Sequence, residues 1–242
     1  MASGPGRRIA IVPARGGSKR IPDKNIVDFC GRPLMAHAIA AAATSGLFDT
    51  IHVSTDSDRI AEVAASLGHP AEFRRDPALA DDHTPLLPVL RWVLEQYAMR
   101  GRGFDEVCLV MPTAPLIEAT DLRGAHALYR AQGGGRSVLA VARLPVPVEW
   151  TLRLAADGAL SPCQPGMDQM RSQDLAPAWY DSGTFIFLGR RDIEDGRIDM
   201  TRALGYPLAR HKAVDIDEPE DLELAAIIFN GRTSRRNREA AR

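Results

Sequence analysis

Short apolar runs alternate with longer helix-like stretches through the first 142 residues, and no other feature narrows the possible folds as far. The runs at 8–13, 50–54, 106–111 and 137–142 are mostly apolar rather than strictly alternating, the pattern of strands buried on both faces. Stretches 33–45, 58–67, 84–100 and 121–132 lie between them. Pro33 and Thr55-Asp56-Ser57 are helix-start signals; Gly46, Gly68 and the triplet Gly133-Gly134-Gly135 are stop signals. Strand–helix alternation predicts βαβ units with right-handed crossovers. The expected fold class is therefore α/β, a Rossmann-like, mostly parallel sheet sandwiched by helices.

The pattern loosens over about residues 145–180, where prolines cluster and Asp157-Gly158 signals a hairpin. This segment is expected to extend from the sheet. Residues 184–188 are strand-like again, 208–216 are extended toward Asp217, and 220–229 form a helix. Residues 231–242 are arginine-rich and poor in apolar side chains, so a disordered basic tail is expected there, after a single domain over 1–230.

Charge excludes some functions. The 242 residues carry 30 basic and 31 acidic side chains, a net charge of -1, which argues against a nucleic-acid coat or a polybasic membrane binder. No apolar run reaches the roughly 18 residues of a membrane span, and Met1–Arg8 has no apolar segment of the kind a signal peptide needs. Cys30, Cys108 and Cys163 are odd in number and widely spaced, so core thiols in a reducing cytoplasm are expected rather than disulfides, a zinc site or nucleophiles. The six histidines show no metal-ligand spacing; His37 lies in an apolar helix.

Only three of the 30 basic residues are lysines, and two of them, Lys19 and Lys24, fall in one glycine-containing stretch directly after the first strand. That stretch reads Pro13-Ala14-Arg15-Gly16-Gly17-Ser18-Lys19-Arg20-Ile21-Pro22-Asp23-Lys24-Asn25. Loops after the carboxyl ends of strands form the ligand crevice of open α/β sheets. Glycines let backbone N–H groups approach phosphate oxygens, and Arg and Lys supply the opposing charge. The spacing fits neither a P-loop nor a dinucleotide fingerprint.

This loop resembles the signature of the CMP-sialic acid synthetases, or acylneuraminate cytidylyltransferases, which runs P-A-R-x-x-S-K-x-x-x-x-K-N. Further blocks follow in order over about residues 8–230. The resemblance implies that Ala14, Arg15, Gly16, Gly17, Ser18, Lys19, Lys24 and Asn25 bind CTP, with Lys24 and Arg15 stabilising charge on the transferring phosphoryl group. The stretch 73–82 is similar to the family's R-P-x-x-L-A-x-D block with one residue inserted. It implies nucleotide contacts for Arg75 and Asp82, although Arg75 could instead pair with Asp76. Met111-Pro112-Thr113-Ala114-Pro115-Leu116 is similar to Q-P-T-S-P-L, with Met111 replacing a glutamine that contacts the sugar acid in relatives. A thioether cannot take over an amide's hydrogen bonds, so the sugar side of the site is expected to differ.

Arg171-Ser172-Gln173-Asp174, with the strand from Tyr180 to Phe185, looks like the branch acting on pseudaminic acid. Arg171 suits a carboxylate and Gln173 an acyl or hydroxyl group; Asp174 could serve the substrate or cap a helix. The last block, Asp215-Ile216-Asp217, is similar to the family's D-I-D metal motif. Carboxylates two apart on an extended chain face the same side, and Mg²⁺ accepts one or two of them with phosphate oxygens. Asp217 with Glu220 could equally open the last helix. The resemblance thus implies CTP as co-substrate, Mg²⁺ at Asp215 and Asp217, and a nine-carbon 2-keto sugar acid near Met111, Thr113 and Arg171. It also implies a homodimer whose 145–180 segment completes the partner's sugar site, with no nucleic acid or membrane as partner.

Overall fold

The computed structural model describes residues 7–81, 83–167 and 170–240. In the first half of the chain the elements are β1 (Arg8–Pro13), β2 (Asp28–Phe29), β3 (Arg32–Pro33), α1 (Leu34–Ser45), β4 (Thr50–Ser54), α2 (Asp58–Ser66), α3 (Leu86–Met99) and β5 (Glu106–Val110). Then follow α4 (Ala119–Ala131), β6 (Val138–Arg143), β7 (Leu152–Leu154), β8 (Leu160–Pro162), β9 (Trp179–Leu188), α5 (Arg190–Asp195), β10 (Leu204–Pro207) and α6 (Pro219–Ala240).

Six strands form one sheet in the order β10-β6-β9-β5-β1-β4. β1 pairs parallel with β4 and β5, and β10 parallel with β6; β9 alone runs antiparallel, between β5 and β6. Strand periodicity divides the core. Ala10, Val12, Cys108, Val110, Phe185 and Phe187 face α1 and α4, whereas Ile9, Ile11, Val107, Leu109 and Leu188 face α3. Strands covered on both faces explain the runs without polar alternation. A third cluster joins Ile21, Phe29 and Leu34 to Ile216 and Ala225, docking α6 beside the loop that follows β1.

Helix starts follow the sequence signals. Ser57 caps α2 by accepting from the Ile60 N–H. Glu118 and Asp121 form a capping box at α4. Pro33 precedes α1, which ends at Gly46 in a left-handed conformation.

Three expectations need correction. The 231–242 segment is not a disordered tail over its described part: α6 continues to Ala240. Arg232 explains this, since it donates to the Leu116 carbonyl at 2.9 Å and pairs with Glu118 at 2.8 Å, while Arg235 pairs with Glu239 one turn on. The extended segment expected over 208–216 begins earlier, as edge strand β10, and then passes through a 3₁₀ turn at Arg210–Lys212. Its Gly205 and Pro207 obscured it, because both residues are poor strand formers that edges tolerate. Of the three thiols expected in the core, only Cys108 is fully buried; Cys163 is exposed. The Asp157-Gly158 hairpin does form, joining β7 to β8 outside the main sheet.

Candidate active site

The loop after β1, the end of β5, the segment leading into α3 and the segment entering α6 converge on a cleft of about 220 Å³. They meet at the carboxyl ends of the parallel strands, where ligands bind in open α/β sheets. The structure brings Arg15, Ser18, Lys19, Lys24, Asn25, Arg75, Met111, Thr113, Asp215 and Asp217 together there, from segments far apart in the sequence. Among the described residues, five cationic side chains (Arg15, Lys19, Arg20, Lys24, Arg75) line it against three carboxylates (Asp81, Asp215, Asp217). That excess suits a polyanion.

The loop is built on its own hydrogen bonds. Asn25 is buried and donates from Nδ2 to the Arg15 carbonyl at 2.9 Å, tying the two ends of the loop together. Ala14 is fully buried and donates to the Ser54 carbonyl at 2.9 Å, so it belongs to the scaffold. Gly16 also differs from expectation. Its N–H donates to Asp56 Oδ1 at 3.0 Å instead of standing ready for phosphate, and a Cβ there would sit 3.0 Å from Ser57 Cβ. Close packing against the start of α2 accounts for this glycine. Gly17 has open space around it.

Arg75 is 4% exposed. Its guanidinium donates to Ser54 Oγ at 3.1 Å and to the Ser54 carbonyl at 2.6 Å, so it does not pair with Asp76. Asp76 instead caps a short 3₁₀ turn, Pro77–Leu79. Burial, reinforced by nearby Arg15 and opposed by Asp56, pushes the Arg75 pKa down to about 10. Asp82 lies outside the described residues. Its neighbour Asp81 lines the cleft and is held by the backbone N–H groups of His83 and Thr84 and by the Thr84 hydroxyl.

The Asp215-Ile216-Asp217 segment faces the loop. Lys24 Nζ donates to Asp217 Oδ1 and to the Ile216 carbonyl, both at 2.8 Å. Arg20 sits 3.1 Å from Asp217 Oδ2. Burial acts to raise the Asp217 pKa, but Lys24 and Arg20 overcome it and hold the carboxyl below its ordinary value. Asp217 does not cap α6. Asp221 does that, with Oδ2 accepting from the backbone N–H groups of Asp217 and Glu218.

Burial raises the Asp215 pKa, and the charge of Asp217 adds to the rise. The buried Thr113 hydroxyl lies beside it without a well-formed hydrogen bond. Asp215 rests on Gly183, where a Cβ would lie 2.5 Å from Oδ2. These are hard oxygen donors suited to Mg²⁺. A half-buried carboxylate with a raised pKa next to a second carboxylate is an arrangement a divalent cation relieves. Among the described residues no group of three or more His, Cys, Asp or Glu gathers for a metal, so a cation at this pair would rely on substrate oxygens and water.

Asp215 also borders a second hollow of about 320 Å³, lined by Tyr180, Ser182, Gly183, Val214 and Leu224. Met111 lies on the cleft floor and packs into both sheet faces. Arg171, Gln173 and Asp174 are not in the cleft. They are exposed on the extension, Arg171 against Gln173, and Asp174 belongs to a 3₁₀ turn and caps no helix by its side chain. A wider hollow of about 440 Å³, between α1, the start of α4 and the end of α6, contains none of the expected site residues. Chemistry, rather than size, places the site in the smaller cleft.

Sequence reasoning missed Arg20, Asp81 and Gly183. Arg20 falls at a variable place in the loop pattern. Asp81 could have been found from the Asp-x-x-Thr spacing of a local cap. Gly183 becomes meaningful only once Asp215 is seen against it.

A profile of the cytidylyltransferase family matches residues 9–140. Over 92% of this chain and 96% of the relative, the sequence is 34% identical to a pseudaminic acid cytidylyltransferase of Campylobacter jejuni. It is also 34% identical, over 64% of this chain and 66% of the relative, to a CMP-N,N'-diacetyllegionaminic acid synthase of Legionella pneumophila. The fold is similar to that of CMP:2-keto-3-deoxy-manno-octonic acid synthetase complexed with CTP, with a TM-score of 0.69 at 16% identity over 93% of this chain and 99% of that one. With its cationic loop after β1, buried arginine and paired aspartates meeting at the strand ends, the chain belongs to the cytidylyltransferase family.

Proposed function

We propose that this protein transfers CMP from CTP to a nine-carbon 2-keto sugar acid, with pseudaminic acid as the acceptor, and releases pyrophosphate. One observation carries the reading: Lys24 and Asp217, 193 residues apart, meet at 2.8 Å in a cleft that Arg15, Lys19 and Arg75 also line. Phosphoryl transfer depends on positioning and on charge placed where it develops, and this cluster supplies both.

In this reading the triphosphate lies along Arg15, Ser18, Lys19 and Lys24, and the base end of the nucleotide reaches Arg75. The acceptor's C2 hydroxyl attacks the α-phosphorus, the bond to the β-phosphate oxygen breaks, and pyrophosphate leaves with the hydroxyl proton released to the medium. Lys24 stabilises charge on the α-phosphate, and Arg15 and Lys19 neutralise the departing pyrophosphate. Asp215 and Asp217 would hold Mg²⁺, which neutralises phosphate charge when bound. The acceptor enters from the side of Met111 and the hollow beyond Asp215.

Arg171, Gln173 and Asp174 act in this reading from a partner copy in a homodimer. Support comes from their exposed position and from the apolar hairpin beside them. The test is pyrophosphate release with CTP, UTP, ATP or GTP in the presence of pseudaminic acid and Mg²⁺. CTP alone should support turnover, and Lys24→Ala should lower kcat by roughly 10²–10³-fold. Equal use of the four nucleotides, or a Lys24→Ala variant as active as the parent, contradicts the reading.

A further inference from the structure

Both carboxylate oxygens of Asp217 are occupied by cations that belong to the phosphate loop. Oδ1 accepts from Lys24 Nζ at 2.8 Å, and Oδ2 lies 3.1 Å from Arg20. Arg20 also donates to Glu218 at 2.9 Å, and Lys24 to the Ile216 carbonyl at 2.8 Å, so the pairs are anchored to the strand-like segment and to the start of α6. The Lys24 side chain is only 16% exposed while that of Asp217 is 46% exposed, so the ammonium is sheltered and the carboxylate stays within reach of the solvent.

A triphosphate and a divalent cation therefore compete for the two halves of the same ion pairs. Phosphate oxygens need Lys24 and Arg20, while a hard cation needs Asp217. A triphosphate arriving alone strands the Asp217 carboxylate beside its own negative oxygens. A cation arriving alone strands Lys24 and Arg20 beside a second positive charge. When both arrive, carboxylate is exchanged for phosphate on the cations, and ammonium and guanidinium for metal on the carboxylate, so no charge is left without a partner.

We propose that Asp217 is an exchangeable counter-ion that keeps Lys24 and Arg20 off the nucleotide until a divalent cation claims its carboxylate. Nucleotide and cation then bind as a coupled pair, and Arg20 is a second phosphate-directed residue released with Lys24. The inference rests on the CTP reading above and adds an order to it: the metal lets the nucleotide in as well as assisting the transfer.

The test is equilibrium CTP binding to the full chain by calorimetry, in EDTA and in Mg²⁺, for the parent protein and Asp217→Asn. In EDTA, Asp217→Asn should bind CTP roughly tenfold more tightly than the parent, because a charge-assisted pair no longer competes. Mg²⁺ should tighten binding to the parent and leave Asp217→Asn almost unmoved. A variant that binds CTP no more tightly than the parent in EDTA overturns the proposal. If Asp217→Asn does not fold, the reciprocal measurement serves: Mn²⁺ alone, without nucleotide, titrated by paramagnetic relaxation of water. Lys24→Ala frees Oδ1 of the carboxylate and should bind Mn²⁺ roughly tenfold more tightly than the parent; equal or weaker binding overturns the proposal. A parent protein that binds and turns over CTP while both variants fail these tests sinks the exchange alone. A parent that binds no CTP with or without Mg²⁺ sinks the functional reading as well.

Discussion

A methionine at position 111 carries the acceptor specificity proposed above, and a histidine at position 52 shows what sequence reading passes over. Met111 forms the cleft floor by packing into both faces of the sheet, and its thioether offers almost nothing to a polar acceptor. That was legible from one departure in a motif. His52 was not, because nothing local marks it. It is 1% exposed, stacks on Phe73 at 4.6 Å between ring centres, and shares a 3.1 Å hydrogen bond with the Tyr97 hydroxyl. Burial drives its pKa down to about 4 from an ordinary 6.5. Between those values the unfolded chain takes up a proton that the folded chain refuses. The stabilising effect of keeping His52 neutral is thus fully present above pH 6.5 and is lost as the pH falls toward 4, by on the order of 3 kcal/mol. Denaturant titrations should show His52→Phe losing less stability than the parent between pH 6.5 and 4.5; matching slopes would contradict this assignment.

At the level of elements, the buried strands and the stop signals of the helices could be read because each is a local pattern. The loop after β1 was legible for the same reason, since its charges and glycines are contiguous. The roles of individual glycines were not, because a glycine's role depends on what comes near it. Gly16 makes room for the start of α2, and Gly183 makes room for a carboxylate from a segment some 30 residues later. Gly183 has φ +64°, a conformation that side chains resist, and its missing Cβ would overlap Asp215. Gly183→Ala should therefore cost about 1–3 kcal/mol of stability and displace Asp215. Turnover should fall at least roughly tenfold in protein that remains folded by circular dichroism, because misplacing a group that orients the reaction is costly. Parent-like turnover would show that Asp215 need not be where β9 puts it. The end of α6 was misread because its stabilising contacts are distant ones: Arg232 reaches Glu118 and the Leu116 carbonyl, and composition alone cannot register that.

For the whole molecule, the extension between β6 and β9 carries a different kind of surface. Leu152, Leu154 and Leu160 on its hairpin are 50%, 73% and 62% exposed, a density of bare leucine that marks an interaction surface. The homodimer inferred above would cover it and carry Arg171 and Gln173 to the partner's cleft. Leu154→Asp combined with Leu160→Asp should convert a dimer into a monomer by light scattering and abolish most turnover. A parent protein that is already monomeric, or a variant that stays dimeric, contradicts this assembly. Among the described residues no helix is long and apolar enough to cross a membrane. The most direct test of the central claim is pyrophosphate release from CTP and Mg²⁺ with pseudaminic, legionaminic and N-acetylneuraminic acids and Kdo side by side, for the parent and Met111→Gln. Pseudaminic acid should be the best acceptor for the parent, and the glutamine should shift preference toward N-acetylneuraminic acid. Preference of the parent for N-acetylneuraminic acid, or no turnover of any of the four, would contradict the account.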